Sequence, residues 1–233
     1  MGDREVMPER FSSNPIEGMD FIRWLRARLK SPLPGFSPGG RFSPRPVHGR
    51  NYAEPLSNPK SAAVLVLLYP KDGIWHIPFV ARPLTMPTHA GQIGLPGGTL
   101  LPDEKSDVAA LREYEEELGA GADAVELLGA LTPIHVHSSG YRIDPWLGVT
   151  TEAPAFSIAA KEVDRLLEIP LSHLMDRKNF GSQRRTHRGE TYDSPCFLFA
   201  ADRIWGATCV ILGELILLAE EYLAMVSRPP LSE

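Results

Sequence analysis

The chain has 233 residues, a formal net charge of −5, 43% hydrophobic residues and 23% charged ones. That length suits one medium domain with additions, and the apolar fraction is enough for a real core. The mild acidic balance argues against a nucleic-acid binder that works through a basic face. Two cysteines, Cys196 and Cys209, lack CxxC or zinc spacing and read as reduced core residues of a cytoplasmic protein.

Residues 1–17 are polar and aperiodic and read as a frayed end, with nothing resembling a signal peptide. Residues 19–30 carry a helical pattern, with Phe21, Ile22, Leu25 and Leu29 on one face and Arg23, Arg26, Arg28 and Lys30 around it. A basic amphipathic helix can lie on anionic membranes, but at this length packing on the domain is the better reading. Residues 31–59 are rich in Pro, Gly and Ser and read as extended chain that links or wraps the domain. The chain thus divides into a helix plus arm over 1–59 and a folded domain over 60–228.

The apolar run 62–69 reads as a buried strand, 70–73 as a turn, and 74–81 as the returning strand of a hairpin. Pro78 within it points to an edge or a bulge. A helix follows over 106–118, stopped by Gly119. Strand-like runs cover 125–134, 146–151 and 195–200, while 163–169 is ambiguous. The apolar stretch 207–226 is interrupted by Glu214, Glu220 and Glu221, so it reads as a packed helix rather than a membrane span. Strands, helix, strands, helix suggest an α/β/α arrangement with a mixed sheet between helices.

Chemistry concentrates in helix 106–118. Glu113, Glu116 and Glu117 stand at i, i+3 and i+4 and share one face, with Val108, Leu111, Tyr114 and Leu118 on roughly the other. Like charges at this spacing repel, and near a helix C-terminus the macrodipole disfavours them further. Taken alone, the pattern is more often a solvated acidic face. It makes chemical sense if hard divalent cations such as Mg²⁺ or Mn²⁺ fill the gap.

Around that helix, Gly98, Glu104, Arg112, Glu113, Glu116, Glu117 and Gly119 resemble the Nudix box at all seven fixed positions and spacings. Tyr114 and Ala120 depart mildly, at apolar positions only. The resemblance implies a metal-dependent hydrolase of nucleoside diphosphate derivatives on the Nudix α/β/α fold. It implies metal ligation by Glu113, Glu116 and Glu117 with Gly97 nearby, orientation of a carboxylate by Arg112, and bracing of the loop by Glu104. Glu162 is similar in position to a late-loop glutamate of the family and joins the box glutamates as a candidate base. Glycine at 97 and 98 suits a tight turn and a close backbone approach.

Upstream, Arg82, His89, Gly91, Gln92 and Pro96-Gly97-Gly98 resemble the coenzyme A pyrophosphatase branch, with Pro83, Pro87 and Leu95 as departures. Arg142, within Ser139-Gly140-Tyr141-Arg142, is similar to a later landmark of that branch. The implied substrate is coenzyme A or a thioester, split to 3′,5′-ADP and 4′-phosphopantetheine or its acyl form, with Arg82, His89, Gln92 and Arg142 as contacts. The alternatives are a Nudix hydrolase for ADP-ribose, NADH or another dinucleotide, and a nucleotide-binding module without turnover. Neither nucleic acid nor membrane is an expected partner. A homodimer formed through the arm and long helix fits the pattern.

Overall fold

The computed structural model of the chain describes residues 14–47, 50–86, 89–187 and 189–227. Its axis is β1 (Lys60–Lys71), which sends Ala63, Leu65, Leu67 and Tyr69 into one core and Val64, Val66 and Leu68 into another. A strand apolar on both faces belongs in the middle of a sheet covered on both sides. β1 runs parallel to β7 (Tyr141–Val149) and antiparallel to its hairpin partner β2 (Ile74–Ala81) and to β4 (Gly97–Thr99).

The two hairpin strands stay paired only from Tyr69–His76 to Lys71–Ile74. Beyond that β2 parts from β1 and pairs with β8 (Arg165–Pro170) and β3 (Ile93–Gly94). Pro78 stands in this parted stretch, where its missing N–H leaves no β1 partner unmet. The segment leading to β4 enters the opening, and Leu65 N donates to the Pro96 carbonyl at 2.9 Å. With β5 (Glu126–Ala130) and β6 (Ile134–Val136) on β7, the result is a mixed eight-stranded sheet.

Helix α2 (Ser106–Leu118) covers the Leu65 face. Against the opposite core, formed around Val66 and Leu68, pack α1 (Met19–Arg28) and α4 (Gly206–Val226). A short α3 (Leu171–Met175) follows β8, and a separate three-stranded sheet holds β9 (Phe180–His187), β10 (Glu190–Phe199) and β11 (Asp202–Trp205). This is the expected α/β/α architecture with a mixed sheet. No helix among the described residues is long and apolar enough to cross a membrane.

Several expectations need correction. Residues 1–13 lie outside the described residues, but the end of the supposedly frayed segment is not frayed. Pro15–Glu17 forms a 3-10 turn in which Ile16 is buried and Glu17 accepts from Trp75 N at 2.6 Å. The strand read over 125–134 is two strands, because Thr132 N leaves the ladder to donate to Glu214 and Pro133 has no N–H to offer. The ambiguous 163–169 is mostly strand β8. Val108 is half exposed, so the buried stripe of α2 is Ala109, Ala110, Tyr114 and Leu118. Of the two readings of the arm, wrapping describes its packing: Phe42 is buried, and a Cβ on Gly213 of α4 would stand 2.4 Å from its ring.

Candidate functional site

The proposed box residues gather where β4 meets α2. Gly98 lies opposite Ala63 of β1, on the face that α2 covers. A Cβ on Gly98 would come within 2.4 Å of Glu113 Oε1, so only glycine lets this carboxylate rest on the strand. Gly97 adopts φ 155° and donates its N–H to Glu117 Oε2 at 3.0 Å. One glutamate is thus held by backbone and the other sits over a bare Cα.

Arg112 ties the acids together. It grips Glu104 through two bonds of 2.8 and 3.0 Å and reaches Glu113 at 2.9 Å and Glu116 at 3.0 Å with Nη1. It also donates to the Thr99 carbonyl at 3.3 Å, an acceptor that the side-chain pattern did not nominate. Glu104 in turn accepts from Leu101 N at 2.8 Å, closing the loop before α2. These bonds hold Arg112 firmly protonated and keep the Glu104 carboxyl below its ordinary range.

The three helix glutamates do not share one environment. Glu116 is exposed, Glu113 is mostly covered, and Glu117 is buried at 3% exposure. Desolvation dominates at Glu117 and pushes its carboxyl up to about 7, against the pull of the Gly97 N–H and the Arg82 charge. Desolvation likewise raises Glu113, opposed by Arg112. The charge of Glu162 raises both, so Glu162 faces the same cluster from the loop before β8. That loop is fixed by Ala159 N donating to the Glu117 carbonyl and Asp164 N to that of Ala81. Sequence spacing places Glu113, Glu116 and Glu117 on one helix face. It does not reveal that Glu117 lies under the loop.

Among the described residues, no three of His, Cys, Asp or Glu stand in a geometry that would close on a metal ion as they are. The donor chemistry nonetheless fits a hard cation. Glu113 and Glu117 lie within reach of each other's charge and of that of Glu162, and Arg112 bridges Glu113 and Glu116.

The upstream residues frame this cluster. Arg82 follows β2, and its backbone pairs with Gln92 and Gly91 across the loop. His89, at φ 58°, shares a hydrogen bond of 2.9 Å with Gln92 Oε1. Pro87 lies outside the described residues. Arg142 stands apart on β7, 2.8 Å from Asp144 Oδ1 but not aligned for a hydrogen bond with it. Asp144, half-buried opposite Ala63 and raised by burial, was not foreseen, although the strand alternation of β7 puts it on the α2 face. A cleft of about 270 Å³, lined by Arg41, Arg45, Phe180 and Asp193 among others, shares no residue with the cluster.

Residues 59–165 match the NUDIX domain. The chain is 32% identical over 161 residues to NudL of Photorhabdus laumondii, described as an uncharacterized Nudix hydrolase, covering 68% of this chain and 84% of that one. It is 30% identical to the NudL of an Escherichia coli strain over 163 residues, covering 69% and 83%. Among solved structures, a Nudix hydrolase from M. smegmatis, RenU, aligns with a TM-score of 0.45 and 15% identity over 75% of this chain and 90% of that one. This chain belongs to the Nudix hydrolase family. Two of the proteins just given are NudL hydrolases, and Nudix hydrolases generally act with divalent metal ions on small nucleotide derivatives.

Proposed function

We propose that the chain hydrolyses the diphosphate of coenzyme A or its thioesters with Mg²⁺ or Mn²⁺, releasing 3′,5′-ADP and 4′-phosphopantetheine or its acyl form. The observation that carries this reading is Glu113 resting on Gly98 and Glu117 held by the Gly97 N–H, within the charge fields of Glu162 and Arg82. Glu113, Glu116 and Glu117, with the Gly97 backbone, would hold the cation. Bound there, it supplies charge neutralisation of the diphosphate and acidification of a water.

The chain's own groups do the rest. Arg112 and Glu104 keep loop and helix in register, and Arg112 orients Glu113 and Glu116, which would hold the cation. Glu162 or a box glutamate accepts the proton of the attacking water. The water oxygen joins one phosphorus, and the bridging oxygen leaves with the other phosphate. Arg82, His89, Gln92 and Arg142 contact the substrate, Arg82 being a natural phosphate ligand. We place the protein in the cytoplasm, with 1–59 as an arm on a hydrolase domain spanning 60–228, and count a homodimer as compatible with it.

A chromatographic product assay tests the reading, offering coenzyme A, acetyl-coenzyme A, ADP-ribose and NADH with each metal. Release of 3′,5′-ADP from the coenzyme A substrates is expected. Preferential formation of AMP from ADP-ribose or NADH would replace the substrate and keep the chemistry.

A further inference from the structure

The three-stranded sheet is tied to the glutamate site at both ends of its last strand. Asp202, which opens β11, is held by two bonds from Arg165, at 2.6 and 2.8 Å, and Arg165 comes three residues after Glu162. Past the other end, Thr208 lies against β3: a Cβ on Gly94 would be 3.7 Å from its Oγ1. Gly94 is three residues before Gly97. This path bounds the backbone separation of Trp205 and Gly97 at about 25 Å.

On that strand Trp205 carries the guanidinium of Arg185, whose central carbon stands 3.5 Å from the ring centroid. The two residues share a sheet face with Gln183, since Trp205 pairs with Cys196, which pairs with Gly181, and side chains alternate along β9. The neighbouring Arg184 is matched to Asp193, whereas no carboxylate among the described residues pairs with Arg185. Gln183 Nε2 is buried without a hydrogen-bond partner. Unspent planar donors, flattened on an indole beside an orphaned amide, are suited to a phosphate, because an arginine fork matches its oxygens bidentately. On the coenzyme A reading the glutamate site takes a diphosphate, and this second group of donors stands on the sheet whose last strand is anchored beside it at both ends.

We propose that Arg185, held flat by Trp205 and assisted by Gln183, binds a phosphomonoester on the ribose of the nucleotide whose diphosphate sits at the glutamates. The assignment rests on the coenzyme A reading, in which that group is the 3′-phosphate. It makes Arg185 a specificity-determining residue without a part in bond cleavage.

Calorimetric titration of the full chain with 3′,5′-ADP and with 5′-AMP, in the presence of Mg²⁺, tests it without turnover. The wild type is expected to favour 3′,5′-ADP about tenfold, as one charge-assisted contact gives. R185A should lose that preference, and W205F, which keeps an aromatic face, should retain it. In kinetics R185A should raise KM for coenzyme A about tenfold at unchanged kcat and leave dephospho-coenzyme A unaffected. Equal or undetectable binding of both nucleotides by the wild type, or a preference that survives R185A, overturns the proposal. If coenzyme A is not cleaved but the Arg185-dependent preference appears, the platform stands and the substrate is another 3′-phosphorylated nucleotide. If coenzyme A is cleaved and R185A behaves as wild type, the platform falls and the substrate reading survives.

Discussion

Helices α2 and α4 both set glutamates beside their apolar stripes, yet the two sets do different things. In α4 every acid has donors of its own. Glu214, buried at 5% exposure, accepts from Gly35 N, Thr132 N and Thr132 Oγ1, each at 2.7 Å. Glu220 pairs with Arg41 and Glu221 with Arg28. In α2 the acids of the cluster outnumber the donors: Arg112 alone serves Glu113 and Glu116 besides Glu104, while Glu117 has one backbone N–H and lies within the field of Glu162. A glutamate matched to its donors builds structure. A crowd of them short of donors is poised for a cation.

The sharpest way to break this contrast is to remove one acid from each helix. Glu117→Gln is expected to lower metal-dependent turnover by about two to three orders of magnitude, the scale of losing one electrostatic contributor to a transition state. A product assay with each metal reads it. Turnover near wild type would sink the role of Glu117. Glu214→Ala should instead leave the turnover of folded protein nearly intact. It should lower unfolding free energy by roughly 2–4 kcal/mol in urea titration, because it strands three buried or half-buried donors.

The pH dependence sharpens the comparison further. Glu117 titrates near 7 in the folded chain and in the ordinary carboxylate range when unfolded. Between about 4.5 and 7 the folded state therefore binds more protons, and metal-free stability should fall as pH rises through that window. The loss at pH 8 relative to pH 5 should be roughly 2–3 kcal/mol. Glu117→Gln should remove that part of the slope, so in EDTA it melts above wild type at pH 8 and close to it at pH 5. A mutant melting below wild type at pH 8 would mean that the Gly97 bond outweighs desolvation. The smallest effect belongs to Arg28→Ala, which breaks a partly exposed ion pair with Glu221 and should cost less than about 1 kcal/mol.

The contrast also marks how far the sequence could be read. The box spacing from Gly98 to Gly119, the hairpin 62–81 and the long helix were legible because each rests on local period or fixed interval. The burial of Glu117 was not, because it depends on β4, twenty residues away, and on the loop before β8 closing on α2. Strand β9 was missed since Gly181-Ser182-Gln183-Arg184-Arg185 shows neither apolar alternation nor turn chemistry. The acids of α4 served in the sequence only to exclude a membrane span. Their partners lie far away in the chain, and composition cannot name them.

Those distances have a consequence for how the molecule is made. Gly35 meets Glu214 across 179 residues, and Arg28 meets Glu221 across 193. On the ribosome, Phe21, Ile22, Leu25 and Phe42 emerge long before the helix that helps cover them. Contacts this remote close slowly, and apolar surface left bare in the interval invites aggregation or the attention of chaperones. Helix α1 is thus made before the sheet it packs on and completes its packing only after α4 has followed.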